Sequence, residues 1–471
     1  MILYKRLIAA PVIILCVICS CKTVQPGKPH PSKPNDFMER LAAKLEKNDL
    51  TGALALFDTL TPEESVLAQN KLAKASVYLS MGQSGPARAE ANEVIAADKT
   101  NAEAQYVLSV VEASEKKFRQ QRTILEEIVK SHPNFVPALN DLGRIAIEMQ
   151  KNLKNAASYY DNALKAEPAN EESLLGRARV YRLEKKPDLA LNMLNKAAQS
   201  HPKSALVYNE RGKFYRNQGA LDDALADMNT AVKLAPNDYW FSYDRGLILI
   251  DKNLKKEALD EFKRAQRINP DIFISYVYTA GISDELGFDD EAEKSYKKIV
   301  AIKPDYYFGF EGIAVHSLKK GNYAAAADNF IQAWGYAQEE YNYALLAAYC
   351  LLKKTDNSKE HKDRVRKVVN DAIKQVKRDS LDYYVIRLFN EGVGDVDVAH
   401  RAERETDGLS KIRAYFYLSC FYEVHNQPGL AEHFEKEFRK FDRRDLIEYR
   451  INDILHPDNK VVVNEPVPNY P

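Results

Sequence analysis

Cysteine is the side chain whose spacing in this 471-residue chain is most suggestive of chemistry. Three of the five cysteines, Cys16, Cys19 and Cys21, lie in one short stretch near the N-terminus. A thiolate in such a stretch could accept an acyl group, form a disulfide or bind a metal ion. Cys350 and Cys420 lie instead in apolar runs with helical spacing, which predicts buried thiols and neither a disulfide nor a metal site.

The residues before Cys21 indicate acylation. A basic pair at residues 5–6 precedes an apolar run of about 12 residues, which is too short to cross a bilayer as a helix but is typical of a secretory signal. The run ends in Ile-Cys-Ser-Cys at 18–21, which resembles the bacterial lipobox, and only Cys21 follows a small residue. The resemblance implies a signal peptide over residues 1–20 and lipidation of Cys21. An unlipidated cleaved signal and a retained anchor are the alternatives.

Residues 21–36 are predicted to tether the lipid to the folded body. They contain four prolines, and residues 22–35, at about 3.1 Å per residue, would extend about 40 Å as a semi-rigid polyproline helix. Lys22 stands in place of the aspartate that is typical of inner-membrane retention. We therefore expect a lipid-anchored protein of the bacterial cell envelope, and the outer membrane is the favoured location.

Catalytic and cofactor-binding motifs are absent from the sequence. It contains no G-x-x-x-x-G-K-[ST], no H-E-x-x-H, no G-x-S-x-G and, in the body, no C-x-x-C. The nine histidines are scattered. We therefore expect no enzymatic activity, no cofactor and no bound metal. An enzyme whose site lies in the irregular region 380–440 is the alternative, and it predicts a deep pocket with converging acids there.

The charge balance bears on the class of partner. Lys+Arg and Asp+Glu both total 67, and removal of residues 1–20 would leave 65 basic and 67 acidic residues, a net charge of about −2. A general nucleic-acid binder would carry a clear basic excess. The composition therefore predicts that the partner is not a nucleic acid.

An internal repeat predicts the helices that would carry a binding site. Prolines recur with a constant period of about 34 residues, with a small residue twelve positions before each and usually a large apolar residue eight positions before. Such a period predicts stacked helix pairs, because one pair cannot bury its apolar face alone. Proline ends the second helix of each pair. The prolines are Pro168, Pro202, Pro236, Pro270 and Pro304. The small residues before them are Ala156, Ala190, Ala224, Ala258 and Ala292, and Ala326 continues the series.

The segment 208–236 carries the clearest family resemblance. Its residues Tyr208, Gly212, Gly219, Ala224 and Pro236 are nearly those of a consensus tetratricopeptide repeat (TPR). The chain resembles the TPR family firmly over 68–340 and more loosely over 37–455. The resemblance implies an all-α fold, an α-solenoid in which about 11–12 antiparallel helix pairs and a capping helix form a right-handed superhelix.

This organisation predicts three further regions after the tether. Residues 37–340 are the TPR array, which is clearest over 102–340. Residues 341–455 are divergent TPR-like helix pairs followed by the C-terminal capping helix. Residues 456–471 contain four prolines and are predicted to be a disordered tail.

The resemblance also implies where partners bind. In TPR proteins, positions 2, 5, 9 and 12 of the first helix in each pair line the inner surface of the superhelix. Basic groups beside aromatic ones could hold a peptide that carries carboxylates, because arginine binds them bidentately and aromatic rings supply contact area. A solvated cationic face with aromatics packed between pairs is the alternative. The candidate residues are Asn140, Arg144, Arg179, Arg182, Asn209, Lys213, Arg216, Trp240, Tyr243, Ile274, Val277 and Phe308.

A second basic series is predicted to be structural. Asp227 follows Arg211, and Glu261 follows Arg245, at the same separation and within one helix pair each. This arrangement predicts ion pairs between the two helices of a pair, and exposed pairs contribute only about 0–1 kcal/mol to stability.

These features together predict a scaffold or adaptor that binds protein or peptide partners in the envelope. The alternative function is binding of peptidoglycan or another glycan by the aromatics near Trp240, Tyr243 and Phe308. The sequence leaves the identity of the partner and the oligomeric state open.

Overall fold

The structure is a computed structural model that describes residues 36–353 and 359–459. Within these ranges it contains 26 α-helices and no β-strand, so the predicted all-α fold is confirmed. No helix in the described ranges is long and apolar enough to cross a membrane. The predicted signal peptide, Cys21, most of the tether and the tail beyond residue 459 lie outside the described residues.

Contacts divide the chain into two compact units, with the boundary between Leu234 and Ala235. In the first unit, consecutive helices pack as antiparallel pairs, apart from the four-residue helix α3. The helices of this unit are α1 (Asp36–Glu46), α2 (Leu50–Leu56), α3 (Pro62–Ser65), α4 (Ala68–Ser80), α5 (Ser84–Ala97), α6 (Ala102–Ser114), α7 (Phe118–Ser131), α8 (Val136–Glu148), α9 (Leu153–Ala166), α10 (Glu171–Leu183), α11 (Pro187–Ser200), α12 (Ala205–Asn217) and α13 (Leu221–Leu234).

The second unit has six further pairs and a terminal helix. Its helices are α14 (Tyr239–Asp251), α15 (Lys255–Ile268), α16 (Phe273–Leu286), α17 (Asp289–Ile302), α18 (Phe308–Lys319), α19 (Tyr323–Tyr336), α20 (Asn342–Lys353), α21 (Lys359–Ala372), α22 (Leu381–Glu391), α23 (Asp395–Arg404), α24 (Gly408–Val424), α25 (Pro428–Arg439) and α26 (Ile447–Leu455). Each unit is thus an α-solenoid of six helix pairs, and the twelve pairs of the described residues fall within the number expected from the repeat.

The recurring small residues form the contact between the two helices of each pair. All six alanines of the repeat series are fully buried. A Cβ atom added to Gly212 would lie 3.2 Å from the carbonyl oxygen of Ala224, so these two backbones approach closely. At Gly246 the added atom would lie 2.8 Å from the ring of Phe262. The register predicted from the sequence is therefore the register of the fold.

The turn between the two helices of a pair follows the same period. In each of the nine pairs from α1–α2 to α18–α19, one turn residue has a positive φ, and these residues recur once per repeat, except that the interval ending at Lys151 is one residue longer. The turn at Lys151 contains the extra residue. Its backbone hydrogen bond, from Asn152 N to Ala146 O, spans six positions, whereas the equivalent bond in the next pair, from Lys186 N to Tyr181 O, spans five. The residues with positive φ in this series are Asn48, Gly82, Lys116, Lys151, Lys185, Gly219, Asn253, Gly287 and Gly321.

The predicted ion pairs between helices are present. Arg211 binds Asp227 through two hydrogen bonds, and Arg245 donates to Glu261. Both contacts join the first helix of a pair to the second. The structural role predicted for this series is confirmed.

The second unit has one continuous core that runs from Ala314 to Ile451. Cys350 and Cys420 lie within it as free thiols, which confirms their predicted burial. Removal from water raises the pKa of both thiols, so neither is poised to react as a thiolate.

Candidate partner-binding site

The predicted site residues lie on the first helices of six pairs, α8, α10 and α12 in the first unit and α14, α16 and α18 in the second. Polar side chains fix where several of these helices begin. The side chain of Asn170 accepts from Ser173 N at the start of α10, and Asp238 accepts from Trp240 N and Phe241 N at the start of α14. An N-cap of this kind satisfies amides that the helix leaves unpaired. It also sets the register of the positions that follow.

Asn140 and Asn209 lie beneath the surface of the first unit, with 2% and 0% of their area exposed. Ser173 Oγ donates to Asn140 Oδ1 at 2.7 Å and so joins α8 to α10. Asn209 Nδ2 donates to the sulfur of Met228 at 3.3 Å. The prediction that these amides face a partner is corrected, because buried amides must satisfy their hydrogen bonds within the protein.

Acidic side chains form ion pairs with the basic residues at position 9 of the first helices. Arg144 donates to Asp141 at 2.5 Å, and Lys213 donates to Glu210 at 3.3 Å. Arg179 donates to Glu148 at 3.0 Å and so joins α10 to α8. At position 9, the expected stripe of basic charge is therefore a row of ion pairs.

Arg182 and Arg216 occupy the last turns of α10 and α12 and are partly buried. A cation in the last turn of a helix interacts favourably with the helix dipole. These two residues and Lys213 keep part of their surface accessible on the predicted face. They are the residues of the first unit best placed to meet a carboxylate on a partner.

Glu172 lies in the same row, next to the Arg144–Asp141 pair. Asn140 Nδ2 donates to Glu172 Oε2 at 3.4 Å. Removal from water and, to a smaller extent, the negative charge of Asp141 raise the pKa of Glu172 to about 7, against the lowering effects of Arg144 and Asn140. The inner face of the first unit thus carries a carboxyl group that titrates near neutral pH.

The predicted apolar residues of the second unit pack mainly against one another. The ring centroid of Trp240 lies 5.6 Å from that of Tyr243, which in turn lies 5.7 Å from those of Phe262 and Tyr278. Val277 is buried, which corrects its predicted place on the binding surface. These edge-to-face contacts place Trp240 and Tyr243 in one aromatic cluster with Phe262 and Tyr278, an arrangement that does not favour the glycan hypothesis.

Ile274 and Phe308 lie nearer the solvent. Ile274 is partly buried, and 38% of Phe308 is exposed. The Phe308 ring stacks on Tyr307 with 4.2 Å between centroids, which fixes its orientation at the start of α18. Phe308 is the member of the predicted apolar set that offers a partner the most surface.

An acidic pocket on α16 and α18 was missed in the sequence. Asp284 occupies position 12 of α16, and Glu311 occupies position 5 of α18. Both positions are among those expected to line the inner surface, but acidic residues there were not among the predicted site residues. Arg450 of α26 reaches both carboxylates, with Nη2 2.5 Å from Asp284 Oδ2 and Nη1 3.9 Å from Glu311 Oε1. No local sequence pattern indicates a contact between residues 166 positions apart.

Comparison with known proteins identifies the repeat. Residues 149–209 and 209–272 each match a tetratricopeptide-repeat family model. The chain contains tetratricopeptide repeats. A search of curated proteins gave no match.

Solved structures resemble parts of this TPR chain at low identity. They include Pseudomonas aeruginosa pilF (19% identity, 44% of this chain and 94% of that one, TM-score 0.38). A tetratricopeptide repeat protein from Parabacteroides merdae is 20% identical over 54% of this chain and 97% of its own, with a TM-score of 0.35. YrrB, described as a TPR protein with an unusual peptide-binding site, is 18% identical over 40% of this chain and 96% of its own, with a TM-score of 0.32. The assignment of TPR repeats rests on the family models and on the helix pairs themselves.

His316 forms a cluster with Asp284 and Asp289 in the second unit. Ligand atoms of the three residues lie within 4.8 Å of one another, as in metal sites. However, the two carboxylates face opposite nitrogens of the imidazole ring, at 2.7 Å for Asp284 and 3.6 Å for Asp289. Lys319 Nζ lies 2.5 Å from Asp289 Oδ1, where a metal ion would have to bind. We interpret the cluster as hydrogen bonds and ion pairs between α16, α17 and α18.

Two surface depressions occur in the second unit. One, of about 530 Å³, is lined mainly by residues of α17, and the other, of about 470 Å³, by four charged residues of α21. Neither is lined by residues 380–440, where the enzyme hypothesis requires a deep pocket with converging acids. Tetratricopeptide repeats are typical of scaffolds, and the residues that line these two depressions do not form a recognisable catalytic site.

Proposed function

We propose that this chain is a lipid-anchored TPR scaffold of the bacterial cell envelope that binds protein or peptide partners on the inner face of its first helices. TPR domains bind protein or peptide partners. The observation that carries the proposal is the stack of helix pairs within each unit, in which the six alanines of the repeat series are fully buried. Such a stack presents an extended surface that a partner can contact at several pairs at once.

The face in the first unit fits a partner that carries carboxylates. Arg182, Lys213 and Arg216 recur along α10 and α12, and each keeps part of its surface accessible. Multiple charged contacts of this kind favour recognition of an acidic peptide and speed its association. Arg179 of this row then holds α10 in register with α8, whereas Arg144 pairs with Asp141 within α8.

Affinity capture tests the scaffold proposal. The full-length protein is purified with its partners from solubilised envelopes, and a double variant, Arg182→Glu and Lys213→Glu, is compared with it. We expect the variant to lose the specific partner and to keep its helicity. The matched control is Arg122→Glu on α7, a second helix of its pair. The absence of any specific partner on the wild type, or its retention by the double variant, would argue against the proposed face.

The anchor is a separate part of the proposal and has its own test. We propose that residues 1–20 are removed, that Cys21 is acylated and that residues 21–36 hold the repeats off an outer membrane. Metabolic labelling with an alkyne fatty acid should label the wild type and Cys19→Ser, but not Cys21→Ser. The unlabelled variant should also leave the membrane fraction. Labelling that survives Cys21→Ser would refute acylation at this residue.

A further inference from the structure

The terminal helix α26 lies against two distant parts of the second unit. On one side it contacts the last pair, where Tyr449 OH donates to Phe438 O at 3.1 Å and Arg413 Nε donates to Glu448 Oε1 at 3.1 Å. On the other side it packs on α18, and its Arg450 reaches Asp284 of α16. Glu448 and Arg450 are two residues apart and so project to opposite sides of the helix. If α26 only capped the last pair, its contacts with Phe438 and Arg413 would be sufficient.

Arg450 enters the face on which TPR partners are expected. Asp284 and Glu311 occupy positions 12 and 5 of consecutive first helices, which are positions predicted to line the inner surface. The side chain of Arg450 is one-third exposed, and those of the two acids are 16% exposed each. The chain's own C-terminal helix therefore occupies the place of a partner on α16 and α18.

The acidic pocket is organised by residues other than Arg450. Tyr296 OH donates to Asp284 Oδ2 at 2.7 Å, and His316 Nε2 lies 2.7 Å from Asp284 Oδ1. Tyr343 OH donates to Glu311 Oε2. Both carboxylates are thus held in position by groups that remain when α26 leaves. Two carboxylates fixed this close together without a cation are unfavourable, so the pocket selects a cation.

The chemistry of the pocket favours arginine over lysine. The two terminal nitrogens of Arg450 point to two different carboxylates, which a planar guanidinium can do with its fixed fork of donors. The ammonium of lysine is a compact, strongly hydrated charge and matches this geometry less well. A helix of nine residues, such as α26, is too short to be stable by itself and is held by its packing, since Tyr449 and Ile451 belong to the core of the second unit. A helix that replaces α26 must therefore supply equivalent apolar contacts as well as the arginine.

We propose that the pocket formed by Asp284 and Glu311 binds an arginine carried on a helix of a partner protein, and that Arg450 occupies this pocket in cis until that helix replaces it. The inference rests on the proposed function, because it assigns the partner's helix to the same inner face. It adds that the partner presents an arginine on a helix and that Arg450 of the same chain competes for the pocket. Partners gain access only at the expense of the α26 contact.

A peptide that spans residues 443–459 of this chain, labelled with a fluorophore, is the probe. Its binding is measured by fluorescence anisotropy with the full-length protein carrying Arg450→Glu, which repels α26 from the pocket. We expect this variant to bind the peptide about tenfold or more tightly than the wild type, in which the pocket is filled. A peptide carrying Arg450→Ala should lose this binding. Arg443→Glu is the matched control in the protein, because Arg443 pairs with Asp445 on the same segment and should leave the pocket closed.

Equal binding to the Arg450→Glu and Arg443→Glu proteins would overturn the proposal, as would equal binding of the two peptides. Circular dichroism checks that the variants retain the repeats, and Arg450→Ala, which removes the guanidinium without adding a charge, replaces Arg450→Glu if that variant fails to fold. The peptide test does not depend on envelope capture. A chain that captures no envelope partner can still bind the peptide, and a chain that fails the peptide test can still bind partners through Arg182 and Lys213.

Discussion

Arg211 donates from Nε and Nη2 to the two carboxylate oxygens of Asp227, at 2.7 and 2.8 Å. Its Nη1 donates to Asn195 Oδ1, in the preceding pair, at 3.0 Å. One guanidinium thus joins α12 to α13 within a pair and to α11 of the pair before. Because the Asp227 side chain is only 9% exposed, this contact is less screened by solvent than most surface ion pairs.

Arg211→Ala should destabilise the first unit by about 2–4 kcal/mol, because it leaves the buried carboxylate of Asp227 without its cation. Urea unfolding followed by circular dichroism measures the loss. Arg122→Ala is the control, since Arg122 and its partner Glu126 are each 46% exposed, and it should cost no more than about 0.5 kcal/mol. Similar losses for the two variants would show that the Arg211 pair contributes no more than a surface contact.

Ala224→Leu should cost about 1–3 kcal/mol, because the added atoms have no space between α12 and α13. Ala224 is fully buried, and its carbonyl oxygen would lie 3.2 Å from a Cβ atom at Gly212. Ala226→Leu, two residues further on the exposed side of the same helix, should change the unfolding free energy by less than about 0.5 kcal/mol. Thermal melts of the two variants compare them directly, and a neutral Ala224→Leu would mean that the repeat register is misassigned.

The repeat could be predicted from the sequence because its key positions depend on local contacts. Ala190 and Ala258 occupy the same position of their repeats because each must fit between two helices that are adjacent in the chain, and this requirement is visible in spacing alone. Asn48 adopts a positive φ one repeat before Gly82, so the turn position extends the repeat into the divergent first pair. Local steric requirements therefore fix most of the fold.

The binding surface could not be predicted to the same degree. Whether Arg179 faces a partner or pairs with Glu148 depends on the side-chain conformations of two neighbouring helices, and both residue types are common on helix surfaces. The contact of Arg450 with Asp284 depends on the curvature of the pairs between them, which accumulates from small differences in packing. Such long-range contacts leave no periodic trace in the sequence.

Substitutions at the turns should separate backbone strain from packing. Gly219 has a φ of 75° with no neighbouring atom within 4 Å of an added Cβ, so Gly219→Ala should cost about 1 kcal/mol through backbone strain alone. Lys185 has a φ of 60° at the equivalent turn, so Lys185→Gly should stabilise the protein by less than about 1 kcal/mol. Gly85→Ala, in the first turn of α5, is the control and should be neutral or slightly stabilising. Melting temperatures of the three variants test these signs, and a destabilised Lys185→Gly would contradict the strain argument.

The stability of the first unit should fall as the pH rises from about 4.5 to about 7, because of Glu172. Its pKa is raised from 4.5 to about 7 in the folded protein, first by removal from water and then by the charge of Asp141. In this window the folded state retains a proton that the unfolded state has released, so increasing pH favours unfolding. Below pH 4.5 both states are protonated, and the effect disappears.

Glu172→Gln should remove this part of the pH dependence, since the amide keeps the shape of the protonated acid without a charge. The variant should melt at a higher temperature than the wild type at pH 8, by about 2–4 °C for each kcal/mol gained, and at nearly the same temperature at pH 4.5. Glu127→Gln, on an exposed site of α7, is the matched control and should follow the wild type at both pH values. The difference in melting temperature between Glu172→Gln and the wild type should depend on pH, because only the wild type has an ionising carboxyl group at this position. An equal difference at both pH values would show that the substitution acts through packing.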